Sequence, residues 1–96
     1  SFDWDELREF RKLTNQFRIA VLTDKNPIYA IPIAKELNAF AINPNHKKLS
    51  HDIIKKIQME GFKVYTWTVN DINHISKLIS WGVDAIITDY PEYVLR

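Results

Sequence analysis

Two hydrophobic rhythms alternate along the chain. Residues 17–24 (FRIAVLTD), 39–43 (AFAIN), 62–70 (FKVYTWTVN) and 83–89 (VDAIITD) are short runs rich in β-branched and aromatic residues. Runs of that kind, bounded by polar residues, read as strands. Between them the apolar residues return at helical spacing. Trp4, Leu7, Phe10 and Leu13 share one side of a first helix, Ile53, Ile54 and Ile57 one side of a later helix, and Ile72, Ile75, Leu78 and Ile79 one side of the last. The punctuation agrees with this division. Asp3 with Glu6 forms a capping-box-like pair, and Asn26–Pro27 supplies a cap followed by proline at a first helical position. Ser50 caps the helix at 51–60, and Asn70 or Asp71 the helix at 71–81. Gly61 and Gly82, the two glycines of the chain, fall where helix C-termini need a left-handed residue. Pro32 makes the second helix short or kinked, because it lacks a backbone donor and clashes one turn back.

The predicted order is therefore α-β-α-β-α-β-α-β. Such alternation implies parallel strands joined by right-handed helical crossovers. With 96 residues the chain forms a single domain or fragment over 1–96. In parallel α/β folds ligands gather at the C-terminal ends of strands. Here those ends read LTD (22–24), INPN (42–45), WTVND (67–71) and ITDYP (87–91). Strand-to-helix loops favour Asp and Asn as helix caps, so Asp24, Asn45 and Asp71 have a structural explanation as well as a functional one. Trp67 raises the same choice. Tyr65, Trp67 and Val69 fall on one face of their strand, and Val64, Thr66 and Thr68 on the other. Trp67 is either core or the wall of a site. Trp4 and Trp81 fall on helices, where packing is the better reading.

Composition narrows the classes. Thirteen basic and 12 acidic residues give a net charge of +1, which supplies no field to draw in nucleic acid or an anionic membrane. The absence of cysteine excludes disulfides and thiolate zinc sites. No apolar run approaches the roughly 18 residues of a membrane span. The compartment is not fixed, and a soluble, cytoplasmic protein is the expectation. The chain begins at Ser1 within a helix cap and has no initiator Met, which reads as a piece of something longer.

Chemistry-bearing clusters are few. DWDE (3–6) mimics a carboxylate metal cluster, but Asp3 and Asp5 diverge on a helix start, where the macrodipole already favours acidic residues. His46, His51 and His74 read as surface or rim residues, and His51–Asp52 is a dyad in one dimension only. Lys47, Lys48, Lys55 and Lys56 make a basic helix face too poor in aromatics to be a nucleic-acid platform.

GFKVYTWTVN (61–70) followed by WGVDAIITDYP (81–91) resembles the C-terminal signature of the glycerophosphodiester phosphodiesterase family. SFD at 1–3 is similar to that family's serine-phenylalanine pair at the end of an earlier strand. The resemblance implies the C-terminal half of a TIM (β/α)8 barrel, a fold of about 250 residues. It implies hydrolysis of glycerophosphodiesters to glycerol 3-phosphate and an alcohol, with a divalent cation, Ca²⁺ or Mg²⁺, and histidines as acid and base. The family's histidine and metal-carboxylate motifs lie in its N-terminal half and match nothing here. No catalytic residue or metal ligand is therefore assigned, and the isolated chain is expected to be inactive. What carries over is a substrate-facing wall: Trp67, with Ser1, Phe2, Asn70 and Asp89. The resemblance gives Trp67 an apolar face for the glycerol carbons and an indole N–H for an oxygen. A half-barrel leaves two strand edges, so the isolated chain is expected to self-associate. The rival is a stand-alone α/β binding or signalling module. Its receiver-like form needs acidic residues that Asp24 and Asp89 alone do not supply.

Overall fold

The computed structural model describes residues 4–14 and 16–89. The elements run α1 (Trp4–Leu13), β1 (Ala20–Thr23), a 3₁₀ turn (Pro27–Ala30), α2 (Ile31–Glu36), β2 (Ala41–Pro44), a second 3₁₀ turn (His46–Lys48), α3 (His51–Met59), β3 (Lys63–Thr66), α4 (Ile72–Ser80) and β4 (Ala85–Ile86). The strands form one parallel sheet in the order β1-β2-β3-β4. Each neighbour in the sheet is the next strand in the chain, so every crossover moves one position the same way, as in a barrel.

The local signals act where the sequence places them. The Ser50 hydroxyl accepts from the Ile53 N–H, and Asp71, not Asn70, caps α4 by accepting from Asn73 and His74. Asn26 accepts from the Ile28 N–H ahead of Pro27. Pro32 is tolerated because it lies in the first turn of the short α2, where its missing donor has no partner to lose. Gly61 and Gly82 close α3 and α4 at φ of 97° and 86°. Asn38 takes the same left-handed role after α2, at φ 51°.

The core lies between the sheet and its helices. Val21, Ile42 and Val64 stand side by side in register and are fully buried. They pack with Ala34 of α2 and with Ile54 and Ile57 of α3. Each such aliphatic side chain contributes about 1.5–3 kcal/mol by leaving water. Val69, Ile75 and Leu78 make a second cluster beneath α4. The opposite face of the sheet carries Leu22, Asn43, Tyr65 and Ala85, all half-buried. Alternation along a strand dictates that division.

Two expectations from the sequence need correction. Val69 does not share a face with Tyr65 and Trp67. The ladder ends after Thr66 and a single bridge at Trp67, the backbone leaves the strand path, and Val69 turns into the core under α4. In α1 only Trp4 and Leu7 pack against the core, while Phe10 and Leu13 are exposed at 41% and 85%. The outer half of this helix meets the end of α2 through Arg11, which donates to the Leu37 carbonyl at 2.8 Å, while Phe10 meets Phe17, centroid to centroid at 6.2 Å.

Candidate functional site

The C-terminal strand ends form a rim of linked polar side chains. Asn45 Nδ2 donates to the Asp24 carboxylate at 2.8 Å, joining the ends of β1 and β2. The Asn45 side-chain oxygen accepts from the Lys47 N–H, so the same residue caps the turn that follows. Its backbone pairs with that of Trp67, joining β2 to β3. Asn70 Nδ2 donates to Asp89 at 2.9 Å, while Asn70 Oδ1 accepts from the Asp89 N–H at 3.0 Å and the Thr88 hydroxyl at 3.2 Å. That pairing joins the segment after β3 to the segment after β4. Asn70 and Asp89, both expected in the substrate-facing wall, thus bind one another.

Trp67 stands half-buried on the open face of the sheet, and its indole N–H donates to the Asn43 carbonyl at 2.9 Å. The N–H is thus engaged by the protein. Ser1 and Phe2 lie outside the described residues. So does Asp3, and Asp5 of the same acidic stretch pairs with Arg8, as does Glu36. Those two carboxylates raise the Arg8 pKa above its already high ordinary value.

Three features of this end escaped sequence reasoning. A cavity of about 530 Å³ opens beside β1, lined by Trp4, Leu22, Asp24, Lys25 and Tyr29 among others. Trp4 reaches it because its indole N–H donates to the Leu22 carbonyl at 3.0 Å, which pins the ring over the strand end. The Asn43 side-chain oxygen is buried without a hydrogen-bond partner. The third feature is a histidine pair. His46, in the turn after β2, meets His74 of α4 edge to face, with centroids 4.8 Å apart and planes at 84°. The sequence marks both only as surface or rim residues, and His74 as mid-helix. Burial, with His74 and the Lys47 charge, lowers the His46 pKa below its ordinary value.

Among the described residues no group of three or more His, Asp or Glu converges to hold a metal ion. The described residues do not fit a cation site, and no chemical step through a cation is assigned to them.

A parallel sheet built by one-step crossovers, with its polar residues on one rim, is part of a (β/α)8 barrel. The chain belongs to the glycerophosphoryl diester phosphodiesterase family, which matches residues 1–93. It is 31% identical to the Bacillus subtilis protein YhdW over its whole length, covering 41% of that protein. It is similar to a glycerophosphodiester phosphodiesterase from Parabacteroides distasonis, with a TM-score of 0.79 at 32% identity over 96% of this chain and 38% of that one. An Oleispira antarctica phosphodiesterase shares the fold, with a TM-score of 0.88 at 22% identity over 98% of this chain and 38% of that one. The chain thus spans about two fifths of the length of the curated relatives it matches.

Proposed function

We propose that the protein carrying this chain hydrolyses glycerophosphodiesters to glycerol 3-phosphate and an alcohol, with residues 1–96 forming the C-terminal half of its barrel. The observation that carries the reading is the Trp67 ring, held by Asn43 on the open face at the strand C-termini of a chain belonging to this family. The Oleispira relative was crystallised with the product sn-glycerol-3-phosphate, which is a product of this reaction class. In the proposed role the Trp67 face covers the glycerol carbons, an apolar contact suited to an indole. Asn70 and Asp89 fix the loop beside it, and Ser1 and Phe2 complete the wall. Acid, base and cation, Ca²⁺ or Mg²⁺, come from outside this segment.

The test is release of glycerol 3-phosphate from glycerophosphocholine, with Ca²⁺ or Mg²⁺, by the full-length protein and by the 96-residue chain. Turnover by the full-length protein and none by the chain is the expected result. Turnover by the chain that disappears on mutating one of its own residues overturns the assignment of acid and base elsewhere. A full-length protein inert on every glycerophosphodiester overturns the reaction itself.

A further inference from the structure

The two histidines of the 4.8 Å pair hold opposite ends of the same segment. The His46 backbone N–H donates to the Trp67 carbonyl at 3.2 Å. The His74 backbone N–H donates to the Asp71 carboxylate at 3.3 Å. Residues 67–71 therefore run between two anchors whose side chains touch each other. Within that segment lie Trp67 and Asn70. The contact joins the turn after β2 to the start of α4, beside the packing of Leu49 on the cluster of Val69, Ile75 and Leu78. His46 Nδ1 is buried and has no hydrogen-bond partner.

We propose that His46 and His74 are positioning residues that clamp the Trp67–Asp71 segment while both rings are uncharged, and that release it when both take up protons. The assignment of Trp67 to a substrate wall rests on the function proposed above; the clamp itself rests on the geometry of the pair.

The physical reason is charge at short range. Edge-to-face packing of two neutral imidazoles is favourable, since the edge of one ring is positive and the face of the other negative. One added proton keeps a tolerable arrangement, a cation over a ring face. Two added protons place like charges within 5 Å, one of them at a site that is partly desolvated. The surrounding groups offer little relief. Lys47 adds positive charge on the His46 side. On α4, Asp71 is occupied by the backbone N–H groups of Asn73 and His74, and Lys77 lies toward Trp81, 5.7 Å from its ring centre. In α3, His51 lies beside Asp52 at 3.8 Å. His46 favours its neutral form in the fold, so its contribution to stability is complete above the ordinary pKa of 6.5 and is lost as pH falls below that value.

The test uses amide hydrogen exchange at Trp67–Asp71, followed from pH 7.5 to pH 5 and corrected for the intrinsic pH dependence of exchange, beside NMR titration of the His46 and His74 ring protons. Protection of Val69 and Asn70 is expected to fall at least about fourfold as the second ring is protonated, the factor that two unit charges at this separation give even in bulk water. His74→Phe keeps an aromatic ring against His46 and cannot be charged, so protection is expected to persist to pH 5. In the full-length enzyme the same variant moves the acid limb of kcat/KM to lower pH, chiefly through KM. Protection that is independent of pH in the unaltered protein overturns the clamp, and so does a His74→Phe variant that loosens over the same pH range. Exchange is read without substrate, so a failure of the proposed activity leaves this test intact.

Discussion

Replacing Trp67 by Phe and by Ala separates two things that the indole does. The ring is half-buried and its N–H is bonded to the Asn43 carbonyl. A fully buried large aromatic truncated to Ala costs about 3–5 kcal/mol. Half that burial scales the ring term to about 2 kcal/mol, and losing the bond to Asn43 adds about 1 kcal/mol. Trp67→Ala is thus expected to destabilise by about 3 kcal/mol, and Trp67→Phe, which keeps most of the ring, by about 1 kcal/mol. Urea unfolding reads these differences directly, the first as a midpoint shift of about 1–2 M. Activity should divide differently. If the ligand meets only the ring face, Trp67→Phe retains most of kcat/KM. Trp67→Ala should lose about 10- to 30-fold, equivalent to about 1.4–2 kcal/mol of apolar contact at conditions where both variants are folded. A substrate oxygen bound by the indole N–H predicts otherwise, because Phe would then be nearly as damaging as Ala. Equal kinetic losses in the two variants would refute the ring-face role. Equal stabilities of Trp67→Phe and the unaltered protein would show that the bond to Asn43 contributes nothing. Full activity in a Trp67→Ala protein with a collapsed urea midpoint would return the residue to a packing role.

Gly61→Ala and Gly82→Ala should each cost about 1–2 kcal/mol in thermal or urea unfolding, because both positions are left-handed. The two costs should be similar, since a new Cβ at Gly61 meets nothing and one at Gly82 meets only the mobile end of Lys55. Glu60 accepts from Lys35 and Lys56, which hold its pKa below 4.5, so its contribution is present above that value and fades as pH falls through the lowered one. Glu60→Gln should therefore weaken the acid sensitivity of the urea midpoint and leave its alkaline side unchanged. Asn70→Asp places a second carboxylate against Asp89 and should raise amide exchange at 68–70, while an unchanged exchange rate would show that this pairing does not hold the loop. The isolated chain should form dimers or larger species in light scattering, because β1 and β4 are both edges of the described sheet. A stable micromolar monomer would favour a self-sufficient module.

Features set by neighbours in sequence were legible, and features set by register were not. Ser50, Asn26, Gly61 and Gly82 act within a turn of their own position, so residue type and spacing suffice to place them, while for α4 they leave Asn70 and Asp71 both open and the structure selects Asp71. The strand runs predicted at 17–24 and 83–89 contract to Ala20–Thr23 and Ala85–Ile86, because a parallel ladder extends only as far as a partner lies alongside. Phe10 and Leu13 satisfy helical periodicity yet face outward, since period reports a shared side and not what covers it. Trp67, Asn70 and Asp89 were singled out by the resemblance alone. The partners that decide what they can do were not, because Asn43 reaches Trp67, and His46 reaches His74, only after the sheet sets the strand ends side by side.

The choice between cap and site, posed by every Asp and Asn at a strand end, dissolves on this rim for a chemical reason. A primary amide has an acceptor on one side and donors on the other. Capping a following turn takes the Asn45 oxygen and leaves its NH₂ group pointing away from the helix start, toward the next strand. There it meets Asp24. Asn70 repeats the division, accepting backbone and hydroxyl donors at its oxygen while its NH₂ group holds Asp89. An aspartate at either position has no donor to give and would repel the neighbouring carboxylate. A serine could do both only with a single hydrogen and a shorter reach. The amide type at 45 and 70 is thus explained by linkage between strand ends, while Asp71, which only caps, can be a carboxylate. Trp67 lies on this rim, its backbone bridged to Asn45 and its indole N–H donating to the Asn43 carbonyl.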